Sequence, residues 1–151
     1  MKKGKKVVGK NKRENSFSTG KAGLAVKHGF YLETAWILSS IFEKKTKSFL
    51  RRIESASNLK AYSFEQTIKR LKYHHQGGRV PLLEKYLDLA LIEEMRNWKN
   101  SRNTMLKDMV NVHVSRNRME RLALEGIVLY KKWNKSLKQV KAEMKNETKV
   151  N

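Results

Sequence analysis

The chain has 151 residues, a length that suits one domain and leaves little room for a second. Its 34 lysines and arginines against 14 acids give a formal charge of +20, while 39% hydrophobic residues with three Trp, five Tyr and five Phe supply a core and exclude a wholly disordered polycation. The absence of cysteine excludes disulfide frameworks, thiolate zinc sites and cysteine nucleophiles, and no apolar run approaches the roughly 18 residues of a membrane span.

Residues 1–28 read as a flexible basic arm. Lys2, Lys3, Lys5, Lys6, Lys10, Lys12 and Arg13 fall in the first thirteen positions with no acid among them, and only Phe17, Leu24 and Val26 offer apolar anchors. No apolar core follows these charges, so a secretory signal is not expected. A long helix is predicted to begin around Gly29–Tyr31. Its apolar set is Leu32, Ala35, Trp36, Ser39, Phe42, Thr46, Phe49, Leu50 and Ile53, and Ile37, Leu38 and Ile41 widen the first half into an arc suited to burial on two sides or to a dimer interface.

Ser55–Ala61 breaks that pattern, and Ser63-Phe-Glu-Gln66 has the spacing of a capping box. The helix that it opens turns Phe64, Ile68 and Leu71 inward. Gly77-Gly78 stops it, and Pro81 suits the first turn of a third helix, which is predicted to reach Trp98–Asn100 before an irregular segment over Ser101–Val114. Ser115 caps the last predicted helix, whose Met119, Leu122, Ala123, Gly126, Ile127, Tyr130, Trp133, Leu137, Val140 and Met144 carry the cleanest helical period in the chain. Strand signals are nearly absent. The expectation is an all-α bundle of four to five helices over residues 29–146, with the flexible arm before it, a basic C-terminal helix end and a disordered tail at 147–151.

Charge of one sign at this density repels itself, and an anionic partner is the natural reason to keep it. Phosphate backbones fit best, because each lysine that neutralises a phosphate releases condensed counterion. Besides the arm, the candidate contacts are Lys69, Arg70 and Lys72, then Arg116, Arg118 and Arg121, then Lys131, Lys132, Lys135 and Lys138. Aromatics interleave at Tyr73-His74-His75 and Tyr130-Lys131-Lys132-Trp133, where rings could stack on unpaired bases, although Tyr130 and Trp133 also fit the core stripe. RNA is preferred to duplex DNA because no helix-turn-helix or zinc-finger spacing is present to read a groove. A solubilising tail and an anionic lipid surface are the other uses of such charge.

Several tempting sites fail on chemistry. Ser18-Thr-Gly-Lys21 lacks the earlier glycine of a phosphate loop and has Ala22 where a magnesium-binding hydroxyl belongs. His74 and His75 are adjacent, so their rings diverge on a helix, and His28 and His113 stand apart; no metal and no cofactor is expected. Neither Glu33 with Glu43 nor Glu93 with Glu94 is spaced for two-carboxylate chemistry, and Glu84, Lys85 and Asp88 read as local charge pairing.

Trp98-Lys-Asn-Ser-Arg102-Asn103-Thr-Met-Leu-Lys107-Asp108 lies between an amphipathic helix and the final one. With the Leu32…Trp36…Phe42-Glu43 helix and the Phe64…Ile68…Leu71 helix, it resembles the HEPN superfamily (higher eukaryote and prokaryote nucleotide-binding domains) over residues 31–137. The resemblance implies a small all-helical bundle, often a homodimer, and in many members a metal-independent ribonuclease of toxin, antiviral or CRISPR systems. The family signature is an Arg, usually followed by Asn, with a His four to six residues beyond the Arg. It carries over onto Arg102 and Asn103, but Lys107 stands where the first matching spacing puts the histidine, and His113 lies too far along.

Imidazole titrates near neutrality and can move the protons of RNA cleavage, whereas an exposed lysine can only stabilise charge. The resemblance therefore implies the fold and RNA contact more than catalysis at Arg102, Asn103 and Lys107. A salt bridge from Arg102 to Glu94 or Asp108, or a C-terminal helix cap, is the purely structural alternative. The resulting expectation is a cytoplasmic, non-catalytic RNA-binding or regulatory module. A defence-type ribonuclease is the first alternative, and a structural component of a ribonucleoprotein or an adaptor for a partner protein is the second.

Overall fold

In the computed structural model, which describes residues 20–54, 61–78 and 80–150, helix α1 (20–27) ends in a turn that calls for glycine. The Gly29 N–H donates to the Val26 carbonyl at 3.0 Å and the Phe30 N–H to the Ala25 carbonyl at 2.8 Å, the paired bonds of a Schellman stop. Gly29 has φ of 75°, and a Cβ there would lie 2.6 Å from the Arg116 guanidinium. Helix α1 buries Ala22 and Ala25, so part of the segment expected as an arm is helical and packed. The seven cations expected in the arm, Lys2 to Arg13, lie outside the described residues.

Helix α2 (Tyr31–Ile53) begins where its periodicity starts. Ala35, Leu38, Phe42, Phe49 and Leu50 form its buried face, and the Thr46 hydroxyl is buried with them, donating to the Phe42 carbonyl at 2.7 Å. Of the wide apolar arc, Leu38 and Ile41 are buried and Ile37 is partly buried against the core. Trp36 departs from the expected stripe and is 62% exposed. Residues Ala35, Phe42 and Phe49 lie at heptad spacing and set the centre of the buried face, which leaves Trp36 on its rim.

Helix α3 (Phe64–Gln76) carries the capping box that its sequence announced. The Ser63 hydroxyl accepts from the Gln66 N–H at 3.2 Å, and the Gln66 side chain accepts from the Ser63 N–H at 2.7 Å. Phe64, Ile68 and Leu71 are buried, and Gly77 ends the helix. Pro81 opens α4 (Pro81–Tyr86). The third helix expected from this proline is divided here. Leu87 is extended, and the Asp88 carboxylate accepts from the Ala90 N–H at 2.9 Å to cap a new helix, α5 (Leu89–Asn111). Helix α5 also runs on through Ser101–Asn111, where an irregular segment was expected. Met105 is the one buried residue of that stretch, too sparse an anchor to show as a period.

Helix α6 (Arg116–Val150) starts at Ser115, whose hydroxyl accepts from the Arg118 N–H at 3.2 Å. It buries Leu122, Ala123, Leu129, Tyr130, Trp133, Leu137 and Val140, and it continues through 147–150, past the point where a tail was expected. No strand occurs among the described residues, and none of their helices is long and apolar enough to cross a membrane.

The contacts fix the directions of the helices. Phe42 meets Tyr130, and Lys45 meets Asn134, so α2 and α6 run parallel in constant register. Glu43 meets Lys99 and Trp36 meets Arg102, so α5 runs antiparallel to α2. The three helices converge at Gly126. A Cβ there would lie 2.6 Å from Trp98 Cζ2 and 2.9 Å from Leu38 Cδ1, and the Trp98 indole N–H donates to the Leu122 carbonyl of α6 at 2.9 Å.

Candidate nucleic-acid interface

The parallel register of α2 and α6 gathers cations along one seam. The Lys45 ammonium donates to the Tyr130 hydroxyl at 2.8 Å and to Asn134 Oδ1 at 2.7 Å, both neutral acceptors that leave its charge uncompensated. Further along, Lys141 is half-buried, and its ammonium is pushed below the ordinary lysine value by burial first, then by Arg52 and Lys45. Among the described residues no carboxylate comes within ion-pair distance of Lys45, Arg52 or Lys141. What joins them is the register of two helices that are distant in sequence.

Several of the cations singled out by sequence adjoin this seam. Lys131, Lys135 and Lys138 are exposed on α6 at spacings of four and three, and Lys145 and Lys149 continue the same stripe. At 1.5 Å per residue the stripe is roughly 27 Å long. Lys132 points elsewhere and lies 3.7 Å from Glu94. Three others are also committed to carboxylates: Arg70 to Glu54, Lys72 to Glu93, and Arg118 to Asp108 at 2.7 Å. Lys69 is exposed on α3, and Arg116 lies 5.4 Å from the centroid of the Tyr31 ring. Arg118 and Arg121 line a groove of about 680 Å³ between α5 and α6, facing Asn97, Asn100, Ser101 and Thr104. The ten described cations among those named from sequence therefore do not form one surface. Among the described residues, the α6 stripe and the α2–α6 seam are the part that comes together without a carboxylate at ion-pair distance.

The aromatics expected among these charges are mostly interior. Trp133 is fully buried and Tyr130 packs edge-on against Phe42, so their core role holds. Tyr73 is exposed, with the Arg70 guanidinium 5.4 Å from its ring centroid. The adjacent histidines diverge as expected. His74 Nε2 meets the Glu54 carboxylate, and His75 Nε2 lies 2.7 Å from the Leu87 carbonyl. Burial alone would raise the Glu54 carboxyl, but hydrogen bonds from Arg70 and His74 outweigh it and hold it below the usual carboxylate value. Among the described residues no group of three or more His, Asp or Glu side chains is placed to hold a metal ion.

Arg102 and Asn103 lie in the middle of α5, so neither caps a helix. The Arg102 guanidinium donates to Asn103 Oδ1 at 2.9 Å and stacks 4.8 Å from the centroid of the exposed Trp36 ring. The salt bridges that could have explained Arg102 are absent, because Glu94 faces Lys132 and Asp108 is taken by Arg118. Arg102 does not line the α5–α6 groove. Lys107 is exposed further along α5, and His113 is exposed beyond its end. No family model matches the chain, and neither the curated proteins nor the solved structures offer a match to it.

Proposed function

We propose that this protein is a nucleic-acid-binding module, with RNA as its first partner, which holds phosphates on the α2–α6 seam and the α6 lysine stripe. The observation that carries this reading is the meeting of Lys45, Arg52 and Lys141 with no carboxylate among the described residues beside them. Burial first, and then the charges of Arg52 and Lys45, disfavour the Lys141 ammonium, and a phosphate placed there would relieve the repulsion. The formal charge of +20 supports the same reading at the scale of the whole chain. Binding without turnover is favoured, because the HEPN-like motif has Lys107 in place of its histidine.

The second reading, a metal-independent ribonuclease of HEPN type, is supported by one observation. Among the described residues no carboxylate pairs with Arg102 to make it a structural residue. Incubating end-labelled single-stranded RNA and duplex DNA with the protein in EDTA, beside an Arg102→Ala variant, separates the two readings. A shift without cleavage is the expected result. Cleavage that the variant loses would establish the ribonuclease, and no shift near physiological salt would remove both readings.

A further inference from the structure

The placement of Trp36 is the feature that neither packing nor charge explains. The other two tryptophans are in the core, at 5% exposure for Trp98 and 0% for Trp133, while Trp36 is 62% exposed on the rim of α2. An indole left in water forgoes its apolar burial, and here one side of it is covered by a guanidinium and not by the core.

We infer that Trp36, backed by Arg102, is a stacking platform for an unpaired base, so that the strand held by this protein is single. The inference rests on the nucleic-acid reading and adds the class of substrate to it. Arg102 stacks on the ring at 4.8 Å and is held there by Asn103 Oδ1, an arrangement that orients the indole without a carboxylate that would repel phosphate. On the next turns of α2, Glu43 is bound by both Lys47 and Lys99, which leaves that edge of the platform cationic. A planar base matches the open part of the indole, and its stacking on an aromatic ring is tolerant of sequence. In a duplex, the bases are already stacked and present no free face.

Three polymers distinguish this inference from the reading beneath it: oligoadenylate, a duplex RNA of equal length, and inorganic polyphosphate, which carries charge but no base. Trp36 is the one exposed tryptophan, so binding of oligoadenylate should quench the emission of the native protein, whereas polyphosphate should bind without that quenching. Trp36→Ala should weaken oligoadenylate binding by about 5- to 140-fold, the range that base–aromatic stacking spans. Its affinity for polyphosphate should be unchanged, and Trp36→Phe should recover part of the loss. Since Trp36 is on the surface, the variants should keep their helical circular dichroism. Equal affinity of Trp36→Ala and native protein for oligoadenylate, with polyphosphate still bound, would overturn the platform and leave the charge reading standing. A parallel loss for polyphosphate would also overturn it, by showing that the ring acts through the fold. Failure of the native protein to bind any of the three polymers would remove both inferences.

Discussion

Replacing Gly126 with alanine tests the point where α2, α5 and α6 meet. The added Cβ would lie 2.6 Å and 2.8 Å from two carbons of the Trp98 indole and 2.9 Å from Leu38 Cδ1, all inside contact distance. The indole is poorly placed to yield, being buried and tied to the Leu122 carbonyl by a 2.9 Å hydrogen bond. Overpacking of this kind costs about 1–3 kcal/mol, and a rigid ring puts it near 3. Alanine in place of glycine inside a helix returns about 1 kcal/mol. The net expectation is a loss of about 2 kcal/mol, which for a chain of this size lowers the thermal midpoint by about 4–8 °C. Gly23→Ala is the control, since nothing lies within 4 Å of a Cβ there, and it should hold or slightly raise the midpoint. Thermal melts followed by circular dichroism decide the matter. An unchanged or raised midpoint for Gly126→Ala would refute the close approach of α6 to Trp98 and Leu38.

Ser63→Ala removes one half of the capping box of α3 and should cost about 1 kcal/mol in a denaturant melt; no loss would mean that the box does not hold the helix start. Because Arg70 and His74 hold the Glu54 carboxyl below its ordinary value of 4.5, its contribution to stability is present above that value and drains away as the pH falls through the lowered one. Glu54→Gln should therefore melt earlier at neutral pH and show a shallower loss of stability in acid, and parallel pH profiles for the two proteins would contradict this. Lys141→Met relieves the repulsion with Arg52 and Lys45, so it should raise the melting temperature slightly while weakening RNA binding. A variant that is less stable, or that binds RNA as tightly as the native chain, would speak against the seam.

Local signals in the sequence were enough for much of the fold. The Ser63–Gln66 box, the Pro81 start, the Ser115 cap and the apolar stripe of α6 act over a few residues, and each is where its spacing put it. The division at Leu87–Asp88 was harder to see, because apolar residues run through it from Leu82 to Leu91 and the Asp88 cap stands among them. The end of α5 was hidden for the opposite reason, with Met105 as its lone buried anchor beyond Trp98. Tertiary packing decided the rest. Trp36 has a helical spacing that permits the core, and only the placement of α5 and α6 against α2 leaves it on the rim beside Arg102. The cationic seam could not be read from any window of sequence, since Arg52 and Lys141 meet through a helix register.

The central claim is that phosphates bind at that seam, and the salt dependence of RNA affinity tests it most directly. Each phosphate contact on a single strand contributes about 0.7 to the slope of log K against log salt concentration. The native protein should show a steep negative slope by fluorescence anisotropy. Replacing both Arg52 and Lys141 with glutamine should make it shallower by roughly 1.4, the share of two contacts. A slope near zero for the native chain, or an unchanged slope in the double variant, would contradict the account.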